Sequence, residues 1–473
     1  MKNTDQQDLL ALLDDSIEVT DGGVAIKDEN RLRSVIHRLA EISALESGSR
    51  QALARYLIRL TALEFGAIPA SINDLYMARG RGDVPSNFTV PAINLRALSF
   101  VGARAVFRAA KAIEAGAFIF EIARSEMGYT DQRPSEYVTN VLAAAIAEGY
   151  KGPVFIQGDH FQVSAKRYAT DPDTELQAVR DLTKEAIEAG FFNIDIDTST
   201  LVDIEKSTVE EQQKLNTKLS AMYTALIREL EPDGITISVG GEIGEVGGHN
   251  STEEELRAYM EGYNADLAKQ SAGATGISKI SIQTGTSHGG VVLPDGSIKE
   301  VSVDFETLQR LSRIARQEYG LGGAVQHGAS TLPENAFHKF VEAEAVEVHL
   351  ATNFQNMLFD RLPENLMEEM YSYLDEKHGG DRKPGQTDEQ FYYKTRKYAV
   401  GPFKVKTWNL SPEKKEEIGQ VWEKQFSKLF DLLSLQGTRK YVDQTVKPVK
   451  IQPDREVYLG GIAIEEDVSD LAD

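Results

Sequence analysis

The sequence predicts an α/β protein, a (β/α)8 TIM barrel with helical extensions before and after it. Three observations carry this reading. Eight short runs rich in β-branched and aromatic residues lie between residues 88 and 352; helix-like stretches separate them; and their apolar character is nearly continuous rather than alternating. Strands of that kind are parallel and covered on both faces. Eight βα units in succession are the arithmetic of a closed barrel.

Residues 1–86 read as a helical, polar extension. The segment RLRSVIHRLAEISALESGSRQALARYLIRLTALEFG places apolar residues three and four apart, the spacing of an amphipathic helix. After GRGDVPSN the texture changes. The expected strands are FTVPAIN (88–94), AFIFEIA (117–123), PVFIQGD (153–159), FFNIDID (191–197), ITISVGGEIG (235–244), ISKISIQTG (277–285), GGAVQHG (322–328) and AVEVHLAT (345–352). Between them lie ALSFVGARAVFRAAKAIEAG, TELQAVRDLTKEAIEAG and DFETLQRLSRIARQEYG, each ending in the Gly that commonly stops a helix. An open doubly wound sheet would carry a Gly-rich phosphate loop after its first strand, and none follows FTVPAIN. The barrel is therefore expected over 87–355. From 356 to 473 the chain turns helical again (SPEKKEEIGQVWEKQFSKLFDLLSL), with a loop-rich stretch, HGGDRKPGQTDEQ, and an acidic tail, IAIEEDVSDLAD, expected to fray.

Composition narrows the function. The 473 residues carry a formal net charge of −22, which repels phosphate backbones and anionic membranes, so no nucleic-acid partner is expected. With no cysteine, disulfides, thiolate catalysis and Cys-ligated metals are excluded. MKNTDQQDLLALLDDS has no basic start followed by an apolar run, so no signal peptide is expected. No uninterrupted apolar run reaches the roughly 18 residues of a membrane span. A soluble, cytoplasmic globular protein is the expectation.

In such a barrel the C-terminal ends of the strands line the site. Strand three ends in Asp159-His160, strand four in Asp197 with Ser199, and strand five in Glu242. Strand six runs into Thr286-Ser287-His288-Gly289-Gly290, and strand seven ends in His327-Gly328-Ala329-Ser330. Three of the eight histidines thus fall at corresponding strand ends. Three imidazoles converging beside a carboxylate make the ligand set of a catalytic zinc with one position open. His37, His338 and His378 read as surface residues. Ser330-Thr331-Leu332-Pro333-Glu334 reads as a helix start with a Thr-x-x-Glu capping box. Its N–H groups, Gly289, Gly328 and Thr352-Asn353 would form a phosphate cradle, as the loops after the last two strands commonly do.

The motifs PAIN (91–94), GDH (158–160), IDIDTS (194–199), GGEIGEVGG (240–248), GTSHG (285–289), QHGAS (326–330) and LATNFQ (350–355) resemble, in the same order, those of class II ketose-bisphosphate aldolases. The resemblance implies that His160, His288 and His327 bind one catalytic Zn2+ per subunit, with Glu242 ligating or supporting it. It implies that Asp159 is the acid/base for the C4 hydroxyl and that Ser125, in ARSEMGYT, lies near the site. Ser330 and Thr352 would bind phosphate, as would Asn353 beside them in the cradle, and Gly289 and Gly328 would lie near the phosphate and a monovalent cation. The implied activity is reversible retro-aldol cleavage of a phosphorylated ketose, fructose 1,6-bisphosphate first and tagatose 1,6-bisphosphate as an alternative. The products would be dihydroxyacetone phosphate and an aldehyde, a step of glycolysis or related carbohydrate metabolism. A homo-oligomer, dimeric or larger, is the implied assembly.

The chemistry is coherent with the residues. Cleavage leaves electron density on the ketone oxygen, which a divalent Lewis acid stabilises. A carboxylate must take the C4 hydroxyl proton, and Asp159 stands beside His160 for that. Two positions depart from the family pattern: Gly247-Gly248-His249-Asn250 lacks the loop Glu that follows the double glycine, and His349 replaces an Asn on strand eight. With an unperturbed pKa of about 6.5, His349 can act as proton donor or set substrate preference. Glu253, Glu254 and Glu255 read as first-turn helix residues. Two other readings compete: a Schiff-base aldolase using Lys279, and a non-catalytic barrel that supports an active partner.

Overall fold

The computed structural model describes residues 3–20, 22–244, 249–285, 293 and 302–460. His288, Gly289 and the acidic tail from 462 onward lie outside them, as do Gly247 and Gly248.

The first 86 residues are not wholly helical. They contain an antiparallel hairpin, β1 (Ile17–Thr20) with β2 (Gly23–Ile26), and a short strand, β3 (Ala67–Ala70). Helices Glu29–Val35, His37–Leu45 and Gly48–Phe65 supply the expected amphipathic part, and the last two pack on helix Pro134–Glu148. Such four-residue strands are too short to impose a readable period on the sequence.

Eight parallel strands then close a barrel: β4 (Val90–Asn94), β5 (Ile119–Ala123), β6 (Gly152–Gln162), β7 (Asn193–Asp197), β8 (Ser238–Glu242), β9 (Lys279–Ile282), β10 (Ala324–Gln326) and β11 (Glu347–Leu350). Each pairs with the next, and β11 returns to β4. Every one of the eight expected runs carries one barrel strand. All are buried along their length apart from Gly152 and His160 of β6, which explains the near-absence of alternation in their sequences.

β3 extends the barrel at its base. It pairs with the first half of β6, Ala67↔Gly152 to Ala70↔Phe155, while β7 takes over from Gln157 onward. The Asn193 side chain staples the junction. Its Nδ2 donates to Ala70 O (3.2 Å) and Ile156 O (3.0 Å), and its Oδ1 accepts from Ile72 N (2.8 Å).

The surrounding helices follow their sequence signals. Helix Pro172–Ala189 starts behind the Asp171 cap and stops at Gly190, whose φ of 105° is left-handed and suits glycine. Helix Pro412–Leu432 packs against helix Ser99–Ala112 and buries Trp422, Phe426 and Phe430. One expectation fails. The stretch from Ser330 to Glu334 does not start an α-helix: two 3-10 turns, Ala329–Thr331 and Glu334–Ala336, precede an α-helix that begins only at His338. Leu332 precedes a proline and is extended, at ψ 149°, because the proline ring disfavours helix in the residue before it. The Glu334 carboxylate pairs with Lys428 instead. Among the described residues, no helix is long and apolar enough to cross a membrane.

Candidate active site

Successive strand residues point to opposite faces, yet Asp159 and His160 both serve the barrel mouth. The reason is an irregularity in β6: its register against β7 shifts between Gly158 and Phe161, and His160 has a left-handed φ of 39°. Bulges of this kind re-aim side chains beside active sites. Gly158 permits the turn, since a Cβ there would lie 2.4 Å from the buried Phe161 ring.

His160, Glu242 at the end of β8, and His327 just after β10 converge. Their ligand atoms lie within 4.8 Å of one another, and the two imidazole centroids are 4.3 Å apart. Each is held from behind. His160 Nδ1 lies 3.2 Å from Asp197 Oδ2 and 3.3 Å from Glu242 Oε2. Asp197 is fixed in turn by Gln162 Nε2 (2.6 Å), Ser199 N (3.0 Å) and Ser199 Oγ (2.7 Å). His327 Nε2 is 3.0 Å from Ser281 Oγ, and Gln283 Nε2 donates to Glu242 Oε1 at 3.2 Å. Burial, then repulsion from Asp197, pushes the Glu242 carboxyl up to about 7, against the pull of His160. Two imidazoles and a carboxylate, convergent and with only His160 partly exposed, suit a borderline divalent ion such as zinc.

A second group lies against the first. The His349 ring lies against His327, the centroids 4.0 Å apart and the planes tilted by 44°. Its Nδ1 is 2.9 Å from Glu121 Oε2 and 3.2 Å from Asp159 Oδ1, and its Nε2 is 2.7 Å from Glu347 Oε1. Burial works against the Asp159 carboxylate, but His160 and His349 outweigh it and hold its pKa well below the usual range.

Lys279 is placed as a buried cation. Fully buried, its ammonium donates to Gln157 Oε1 (2.7 Å), Asp195 Oδ2 (2.9 Å) and Glu347 Oε1 (2.5 Å). Burial lowers its pKa, but the two carboxylates more than offset that and raise it. A Schiff-base amine must be deprotonated, so this environment speaks against the Lys279 reading.

The phosphate candidates gather at the ends of β10 and β11. Gly328, at φ 69°, starts the turn Ala329–Thr331, and Ser330 Oγ accepts a hydrogen bond from Ala351 N at 2.6 Å. Thr352 and Asn353 open helix Thr352–Phe359. Ser125 is buried in helix Arg124–Tyr129, immediately after β5. His249 is exposed and lies 2.6 Å from Glu255 Oε1, which belongs to a capping box with Thr252. The first-turn reading of the three glutamates is thus borne out.

Sequence reasoning missed Glu121, Gln157, Asp195, Ser281 and Glu347. Their signal was present: polar residues inside the otherwise apolar runs FIFEIA, VFIQGD, NIDID, ISKISI and AVEVHL are buried and need polar partners within the barrel.

A family model described as fructose-bisphosphate aldolase class-II matches residues 85–414. No curated protein matches the chain. Among solved structures, it is similar to the YdjI aldolase from Escherichia coli K12, with 13% identity over 78% of this chain and 98% of that one and a TM-score of 0.46. The fructose-bisphosphate aldolase from Campylobacter jejuni gives 17% identity, 76% and 93% coverage and a TM-score of 0.44. A probable tagatose 6 phosphate kinase from Sinorhizobium meliloti 1021 gives 17% identity, 73% and 87% coverage and a TM-score of 0.50. Likeness at these identities bears on the fold alone. The family match, by contrast, spans most of the chain, from just before β4 to the start of helix Pro412–Leu432, and the chain is an aldolase of the class II fructose-bisphosphate aldolase family.

Proposed function

We propose that this chain is a zinc-dependent aldolase that reversibly cleaves fructose 1,6-bisphosphate to dihydroxyacetone phosphate and an aldehyde. The observation that carries the reading is the convergence of His160, His327 and Glu242 with Asp159 against them. His160, His327 and Glu242 would hold the ion, with His288 as a further ligand. The bound ion supplies electrostatic stabilisation for the negative charge that develops on the ketone oxygen as the carbon–carbon bond breaks.

The remaining work falls to side chains of the barrel. Asp159, kept ionised by its imidazole neighbours, takes the proton of the C4 hydroxyl, so that the C4 oxygen becomes the aldehyde carbonyl. His349, 3.2 Å from Asp159, completes the proton-handling pair. Ser330, Thr352, Asn353 and the backbone at Gly328 hold the phosphate. Because Ser330 Oγ already accepts from Ala351 N, its own O–H remains available to donate to a phosphate oxygen.

The test is cleavage of a panel of ketose phosphates, including fructose and tagatose 1,6-bisphosphates, with and without chelator. Chelator-sensitive cleavage with fructose 1,6-bisphosphate the best substrate supports the reading. Preference for the tagatose ester moves the substrate assignment. Metal bound without any turnover leaves a supporting, non-catalytic barrel.

A further inference from the structure

Beneath the reacting groups the barrel interior is charged. Large barrels commonly fill this space with branched apolar side chains. Here β5, β6, β7, β9 and β11 contribute Glu121, Gln157, Asp195, Lys279 and Glu347, none more than 6% exposed. Replacing buried ion pairs by apolar residues is often neutral or stabilising, so stability alone does not account for the layer.

Its connections run upward. Tyr76, from helix Asn73–Arg81 below the barrel, donates to Glu347 Oε2. Lys279 Nζ and Gln157 Nε2 (2.9 Å) both donate to Glu347 Oε1, and Gln157 Nε2 also reaches Glu121 Oε2 at 3.2 Å. Gly240 on β8 leaves the room required: a Cβ there would stand 2.3 Å from Asp195 Oδ1 and 2.9 Å from Lys279 Cε. Asp195, Glu347 and His349 are spaced like metal ligands, but the Lys279 ammonium sits on the first two and takes the place of a cation.

The two carboxylates so fixed meet His349 from opposite edges, Glu121 at Nδ1 and Glu347 at Nε2. An imidazole has only these two nitrogens. The ring cannot turn without losing both contacts, and its Nδ1 edge is the one that faces Asp159. We propose that Glu121, Glu347 and Lys279 are positioning residues of the proposed aldolase reaction, acting through His349 to fix the carboxylate of Asp159. They touch no substrate.

The test uses the full metal-loaded chain labelled with 15N at the histidine ring nitrogens, the His349 resonances being identified by their loss in His349→Asn. Glu121→Gln is isosteric, and Lys279 makes its hydrogen bonds among the described residues to Gln157, Asp195 and Glu347 instead; Glu347→Gln is its counterpart at Nε2. Each is expected to shift the His349 resonances with bound metal unchanged. Each should also lower kcat by about tenfold or more, as small misplacements of a reacting group do, with little change in KM. In the His349→Asn background the same substitutions should have little further effect, because the residue through which they act is gone. His349 resonances unmoved in both variants overturn the proposal, as does a full loss of kcat persisting in the His349→Asn background. Glu121→Gln carries the test alone if Glu347→Gln does not fold. Wild-type protein that cleaves no ketose phosphate would refute the aldolase reading, while the resonances still decide the clamp.

Discussion

Asp197 Oδ2 lies 3.2 Å from His160 Nδ1, and the same carboxylate is held by Gln162 and by both donors of Ser199. The contact fixes the orientation of the imidazole in the candidate metal group. Partners of this kind typically contribute 10–100-fold in metal affinity, so Asp197→Asn is expected to weaken zinc binding by about that factor. Competition with a chromophoric chelator measures it. Unchanged affinity would remove Asp197 from the account.

Asp159→Ala separates chemistry from metal binding. Metal should remain and substrate should still bind, while cleavage falls by ~10²–10⁴-fold, the range for a positioned acid/base. Elemental analysis beside steady-state kinetics reads both quantities. Loss of metal instead would make Asp159 a ligand or the orienter of one.

Ser330→Ala addresses phosphate recognition. A hydrogen bond to a charged group contributes about 1.5–3 kcal/mol, so the KM of a ketose bisphosphate should rise accordingly. A phosphate-free ketose should be indifferent. Equal losses on both would trace to the freed Ala351 N–H rather than to phosphate.

Lys279→Met removes the ammonium that pairs with both Asp195 and Glu347 in the barrel interior. Breaking a buried pair by removing one partner typically destabilises by about 3–5 kcal/mol. Urea unfolding of the variant should show a loss of that size. Pairing it with Glu347→Gln should restore part of the loss, because fewer buried charges remain unpaired. A single variant as stable as wild type would show that these carboxylates do not depend on Lys279.

The barrel was legible because parallel strands buried on both faces write themselves as apolar runs; seven of the eight expected runs contain their strand, and β6 overruns its run at both ends. Asp159, His160, Glu242 and His327 were legible as strand ends. What escaped notice depends on distance in sequence. β3 joins β6 across more than eighty residues, and its four residues carry no period. The layer under His349 gathers single polar residues from five strands, and no local pattern ties them together. No α-helix starts at Ser330, because Pro333 holds Leu332 extended in spite of the Thr-x-x-Glu spacing.

The central claim is that His160, His327 and Glu242 hold a divalent ion, and the most direct measurement is metal content of wild type against His327→Ala by elemental analysis after exhaustive dialysis. Wild type should retain close to one zinc per chain. The variant should keep its far-ultraviolet circular dichroism and lose the ion, since removing a ligand from so small a set leaves too few for tight binding. Equal zinc in both proteins, or none in the wild type after reconstitution, would contradict the account.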